Sequence, residues 1–120
     1  DVTGVGTARY RLAAASYGVG LAIFGYGDSS GVAGTAITNK VNNLGVVASD
    51  TAGVGTTRGS LAATVFGGDK AIFGYGNANN SPAFASMTNI VSNLGVVAAD
   101  VTGVGSGRND LAASGFSTSA

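Results

Sequence analysis

A unit of about 50 residues recurs along this 120-residue chain, and that recurrence restricts its fold more than any other feature. Gly-Val-Gly-Thr-Ala-Arg at 4–9 returns as Gly-Val-Gly-Thr-Thr-Arg at 53–58 and as Gly-Val-Gly-Ser-Gly-Arg at 103–108. Ala-Ile-Phe-Gly-Tyr-Gly at 22–27 returns at 71–76, and residues 38–50 match 88–100 at 10 of 13 positions. The chain therefore divides into repeat 1 (1–49), repeat 2 (50–99) and a partial repeat 3 (100–120), within a single repeat domain. Chains of this kind bury their core by laying successive units against one another.

Each unit predicts four short antiparallel strands. The first spans 12–17 and returns at 61–66 and 111–116; the second spans 21–26 and 70–75; the third, 36–41 and 86–91; the fourth, 46–49 and 96–99. The runs are four to six residues long and bounded by Gly, Asn and Ser, which favours strands. Asn42 to Gly45 and Ser92 to Gly95 supply residues that tolerate the positive φ of tight turns. Glycine, 21 residues in all, recurs too often for helix, where each interior copy costs up to about 1 kcal/mol. The runs are apolar at nearly every position, which predicts sheets covered on both faces. The expected architecture is all-β, with four-stranded β-propeller blades that pack face to face; Ala13, Ala14, Ala62 and Ala63 leave room for close approach.

Composition excludes much chemistry. The chain has no His or Cys, and all six of its acidic residues are Asp. A Ser-His-Asp triad, a thiol nucleophile, a Cys/His zinc site and a disulfide are thereby ruled out. No converging carboxylate pair stands out for acid–base work. The expectation is a non-catalytic protein with no cofactor and no metal. A net charge of zero predicts no nucleic-acid partner. The uncharged stretch from 12 to 27 is shorter than the roughly 20 apolar residues of a membrane helix, and four of its residues are Gly, so no membrane insertion is expected. The opening Asp-Val-Thr-Gly does not resemble a targeting segment.

The order of Arg, first strand, Ile-Phe-Gly-Tyr-Gly, polar loop, third strand, tight turn and last strand resembles a kelch-type repeat. Arg9, Arg58 and Arg108 match the kelch arginine, and the pairs Gly25/Gly27 and Gly74/Gly76 stand where its double glycine would. The chain departs from the family in two places: Tyr separates the glycines, and Leu44-Gly45-Val46 occupies the expected Trp position. The resemblance implies a β-propeller. The whole chain also resembles repetitive arrays of bacteriophage structural or tail proteins, which implies a virion or extracellular surface location but carries over no activity.

Several residues stand out as candidates. Asp1, Asp50 and Asp100 each precede Arg9, Arg58 and Arg108 by eight residues and are the only charges present in every unit. They predict one paired, hydrogen-bonded ion per repeat, the Arg meeting either this Asp or backbone carbonyls, with an arginine-lined anion channel as the functional alternative. Gly4-Val5-Gly6 and its copies look like the start of a phosphate-cradling loop, but Arg stands where a third glycine is needed and strands follow, so a connector between blades is expected. Phe24, Tyr26, Phe73 and Tyr75, spaced two apart, should share one side of a strand, either as core or as a stacking platform for sugars. The units differ mainly at three places: the loops Asp28–Ile37 and Asn77–Met87, the pair after each Arg (Tyr10-Arg11, Gly59-Ser60, Asn109-Asp110), and the links Gly18–Leu21 and Gly67–Lys70. Asp28, Ser29, Ser30, Asn77, Asn79 and Asn80, with Tyr26 and Tyr75, are the candidate ligand-binding residues.

Two blades cannot close a ring, since propellers have about 4 to 8. The expected partners are therefore copies of this chain, or further repeats of a longer one, with surface glycans as possible ligands. The expected role is a structural or adhesion module. The alternatives are a lectin with one site per repeat and a fibrous β assembly.

Overall fold

A computed structural model of the chain describes residues 2–79 and 83–116. It is all-β, and no helix occurs among the described residues. The strands are β1 (Arg9–Tyr10), β2 (Ala13–Ser16), β3 (Ala22–Gly25), β4 (Asp28–Ser29), β5 (Thr38–Val41), β6 (Ala62–Phe66), β7 (Lys70–Asn77) and β8 (Phe84–Val91). They form three antiparallel sheets: β2-β3-β5 from repeat 1, β6-β7-β8 from repeat 2, and the small pair β1-β4. The register repeats between units, with Ala13 opposite Gly25 in the first and Ala62 opposite Gly74 in the second.

Each main sheet has three strands instead of the expected four. The segment at 46–49 is reduced to bridge pairs, Val41 with Val47 and Thr38 with Thr51, and its counterpart to Val91 with Val97 and Thr88 with Val101. Between the two bridges of repeat 1 the returning chain has three residues facing two on β5, so the ladder cannot continue in register. The Asn39 carboxamide takes over there, donating to the Ala48 carbonyl at 3.2 Å, as Asn89 does to Ala98 at 3.0 Å.

Residues 111–116 also depart from the expectation, because they form no strand. In the other two units the first strand pairs with Ala22–Gly25 or Lys70–Asn77, and no equivalent of those segments follows within the 120 residues. The segment instead lies across the repeat 2 sheet, where Leu111, Ala112 and Ala113 border a shallow cleft with Ala62, Ile72 and Gly74.

The two main sheets press against each other, β2 lying against β6 and β7. The core between them contains Tyr17, Ile23, Tyr26, Leu61, Phe73 and Val91. Phe73 is 0% exposed and meets the Tyr26 ring edge-on, with centroids 5.1 Å apart. Gly25 makes this approach possible: a Cβ there would stand 2.6 Å from the Phe73 Cζ. Burying one such ring contributes about 1.5–3 kcal/mol. The expectation of cover on both faces is met only in part. Repeat 2 has repeat 1 on one side and residues 111–116 on the other, whereas Phe24, the counterpart of Phe73, is 38% exposed.

Candidate functional site

The repeated charges form one cluster per unit, in which the Arg meets backbone carbonyls and an Asn while the Asp is held beside it. In repeat 1 the Asp50 carboxylate accepts hydrogen bonds from the Thr7 amide (3.0 Å), the Thr7 hydroxyl (2.7 Å) and Asn39 Nδ2 (2.8 Å). Arg9 donates to the Tyr26 and Ile37 carbonyls and to Asn39 Oδ1. Repeat 2 reproduces the cluster with Asp100, Thr56, Asn89 and Arg58. Each Arg thus shares a cluster with the Asp that opens the following repeat: Arg58 lies 3.9 Å from Asp100, across a repeat boundary. Asp1 lies outside the described residues.

The electrostatics follow from this packing. Burial pushes the Arg58 guanidinium below the usual arginine range, against the pull of Tyr26 and Asp100. Arg9 moves the same way for the same reason, opposed by Asp50. Hydrogen bonds from Asn39 and Thr7 hold Asp50 below the ordinary carboxylate value. At Asp100 burial works in the opposite direction, but Thr56, Asn89 and Arg58 together outweigh it and the carboxyl is again depressed.

The Gly-Val-Gly loop does bind an anion, and the anion is the chain's own aspartate. Gly6 and Gly55 have φ of 78° and 76°, and a Cβ at either would collide with Asp50 or Asp100. This accounts for the second glycine of the first two copies, and the connector expectation agrees with it. An arginine-lined channel is not what forms. Arg58 is 0% exposed and stacks at 4.3 Å over the Tyr26 ring, donating to the Tyr75 and Thr56 carbonyls and to Asn89.

Tyr26 and Tyr75 also differ from expectation, because neither shares a side with the Phe two residues before it. Phe73 points back to Gly25 and Tyr26 of repeat 1, whereas Tyr75 points forward to Arg108 and the Val104 carbonyl of repeat 3. The cause is local: both tyrosines have φ of 62°, and the β7–β8 register shifts between Gly74 and Gly76. A left-handed residue there breaks the strand alternation. Tyr26 is fully buried, with its hydroxyl donating to the Val54 carbonyl at 3.1 Å, so its ring is no platform for sugars.

The loop residues separate into two kinds. Asp28 is buried, accepting from the Gly34 amide at 2.8 Å and lying 3.4 Å from Arg11, so its carboxylate holds its own loop. Asn77 does the same in repeat 2, its Oδ1 accepting from the Asn79 amide at 2.8 Å. Ser30 and Asn79 face solvent, and Ser29 is half-buried. Asn80 lies outside the described residues. No cluster of three or more metal-ligating side chains occurs among the described residues.

Sequence reasoning missed Thr7, Thr56, Asn39 and Asn89 as members of the charged clusters. Their exact repetition at matching positions was the available sign. The chain matches no known family model and none of the curated proteins.

Proposed function

We propose that the chain is a non-catalytic structural module, in which stacked, kelch-like β repeats of the propeller-blade type hold a rigid frame and present variable loops for binding at a virion or cell surface. One observation supports this most. Repeat 2 sits on repeat 1 through the same contacts by which the opening of repeat 3 sits on repeat 2. Arg58 over Tyr26 (4.3 Å) becomes Arg108 over Tyr75 (4.4 Å), and the Tyr26–Val54 hydrogen bond becomes Tyr75–Val104. The Gly27 amide donates to the Arg58 carbonyl at 2.9 Å, as Gly76 does to Arg108. A geometry that recurs unit after unit serves to build a frame, and the longest stretch of sequence difference, with the change of length, falls in the loops around Ser30 and Asn79.

The test is an insertion series. A short Gly-Ser insertion after Ser30 or Asn79 leaves the circular dichroism spectrum and the melting midpoint unchanged, whereas the same insertion after Gly53 unfolds the protein. Unfolding by the loop insertions would contradict the proposal. Saturable binding on a glycan array, lost with either loop insertion, would identify the loops as a lectin site.

A further inference from the structure

The interface between repeats 1 and 2 serves as a template for the two outer faces of the described stack. On its repeat 1 side are Gly25, which receives Phe73, and Tyr17 with Lys40, which stand against Gly95 of the Asn93–Gly95 turn. The equivalents of these receiving residues in repeat 2 are Gly74, Phe66 and Ile90, and they lie on its outer face. The equivalents of the inserting residues in repeat 1 are Phe24 and the turn Asn43–Gly45, on the opposite outer face. Burial follows the template: Tyr17 is 3% exposed and Phe66 38%, while Phe73 is 0% and Phe24 38%. No atom approaches the Cβ position of Gly45, and at Gly74 only the Thr88 methyl does, whereas Gly25 and Gly95 are closely covered.

We infer that these two end faces bind each other between molecules: a second copy of this chain docks head to tail, placing its Phe24 at Gly74 and its Asn43–Gly45 turn on Phe66 and Ile90. The inference rests on the stacked-frame proposal above. Residues 104–116 already cover part of the receiving face, and the incoming copy would displace them. The replacement is like for like, since Arg9 succeeds Arg108 over Tyr75, the Val5 carbonyl succeeds that of Val104, and β2 succeeds residues 112–115. Among the described residues, the segment 111–116 makes no backbone ladder bonds, so it is readily exchanged. The incoming copy adds the Phe24 ring and the turn, contacts the resident segment does not make. A contact between two different faces is heterologous and propagates into a closed ring or an open chain.

The test is sedimentation of the full chain and of two variants, each blocked at one face. F24D puts a charge on the inserting face, and G74W fills the receiving notch. The wild type associates beyond a dimer, each variant alone sediments as a monomer, and an equimolar mixture forms a 1:1 dimer through the two intact faces. Circular dichroism and melting of each variant establish that it is folded, and recovery in the mixture excludes misfolding as the reason for the loss. A monomeric wild type at the highest soluble concentration overturns the inference and leaves the frame proposal to its insertion test. Association that survives both variants, or variants that stay monomeric when mixed, also overturns it.

Discussion

Arg58 lies in repeat 2, yet its guanidinium packs 4.3 Å over the ring of Tyr26 in repeat 1 and 3.9 Å from Asp100, which opens repeat 3. One side chain thereby ties three successive units together. Because it is fully buried, its charge depends on the acceptors supplied by Tyr75, Thr56 and Asn89.

Replacing this arginine should be far costlier than replacing its copy. Arg58→Met leaves the Tyr75 and Thr56 carbonyls and Asn89 Oδ1 without their donor and Asp100 without its nearby cation, and each buried acceptor left unsatisfied costs about 1–3 kcal/mol. Arg108 makes the same contact with Tyr75 but is exposed, so Arg108→Met costs about 1 kcal/mol or less. Urea unfolding of the two variants measures the difference.

Acid should loosen the repeat boundaries. Asp50 and Asp100 have folded-state pKa values below that of a free carboxyl, so more protons bind in the unfolded state as pH falls. Their stabilisation is complete above the unfolded value of about 3.9 and disappears as pH drops through the lower folded values. Urea midpoints taken from neutral pH down to about pH 2 should fall steeply at the acid end. Asp100→Asn should flatten that slope.

The two Phe residues of the Ile-Phe-Gly-Tyr-Gly motif should respond unequally to truncation. Phe73→Ala opens a cavity between the sheets and costs about 3–5 kcal/mol. Phe24→Ala, at the partly exposed counterpart, should remain within about 1 kcal/mol of the parent at concentrations where the protein is monomeric. Thermal melting of both variants provides the comparison.

Gly25 and Gly74 should differ for the same reason. Gly25→Ala drives a methyl into the Phe73 ring, and overpacking of that kind costs about 1–3 kcal/mol. Gly74→Ala meets only the Thr88 methyl at 3.3 Å and should cost less than about 1 kcal/mol. Denaturant titration distinguishes the two outcomes.

The repeat made the β class, the unit length and the placement of six principal strands legible in the sequence. Four features were not legible, each for a physical reason. Val46–Val47 reads as strand, but the extra residue opposite β5 is a matter of pairing, which single-chain propensity does not report. Tyr26 shares a face with Phe24 only if alternation holds, and the left-handed φ at Tyr26 breaks it. Asp50 stands closer in sequence to Arg58 than to Arg9, yet it joins the Arg9 cluster because the chain returns along β5 to the Gly-Val-Gly turn of its own sheet. The loop residues Asp28 and Asn77 looked like ligand donors because polar side chains that close their own loops have the same composition as those that face a ligand.

Face-to-face packing of the two sheets is tested most directly by a nuclear Overhauser spectrum of the folded chain. Gly25 stands beneath the Phe73 ring, so its Hα protons should show strong cross-peaks to the Phe73 ring protons and ring-current-shifted resonances. A well-dispersed β spectrum in which Gly25 shows neither would mean that the sheets do not lie against each other, and the account of how the repeats fold and assemble would be wrong.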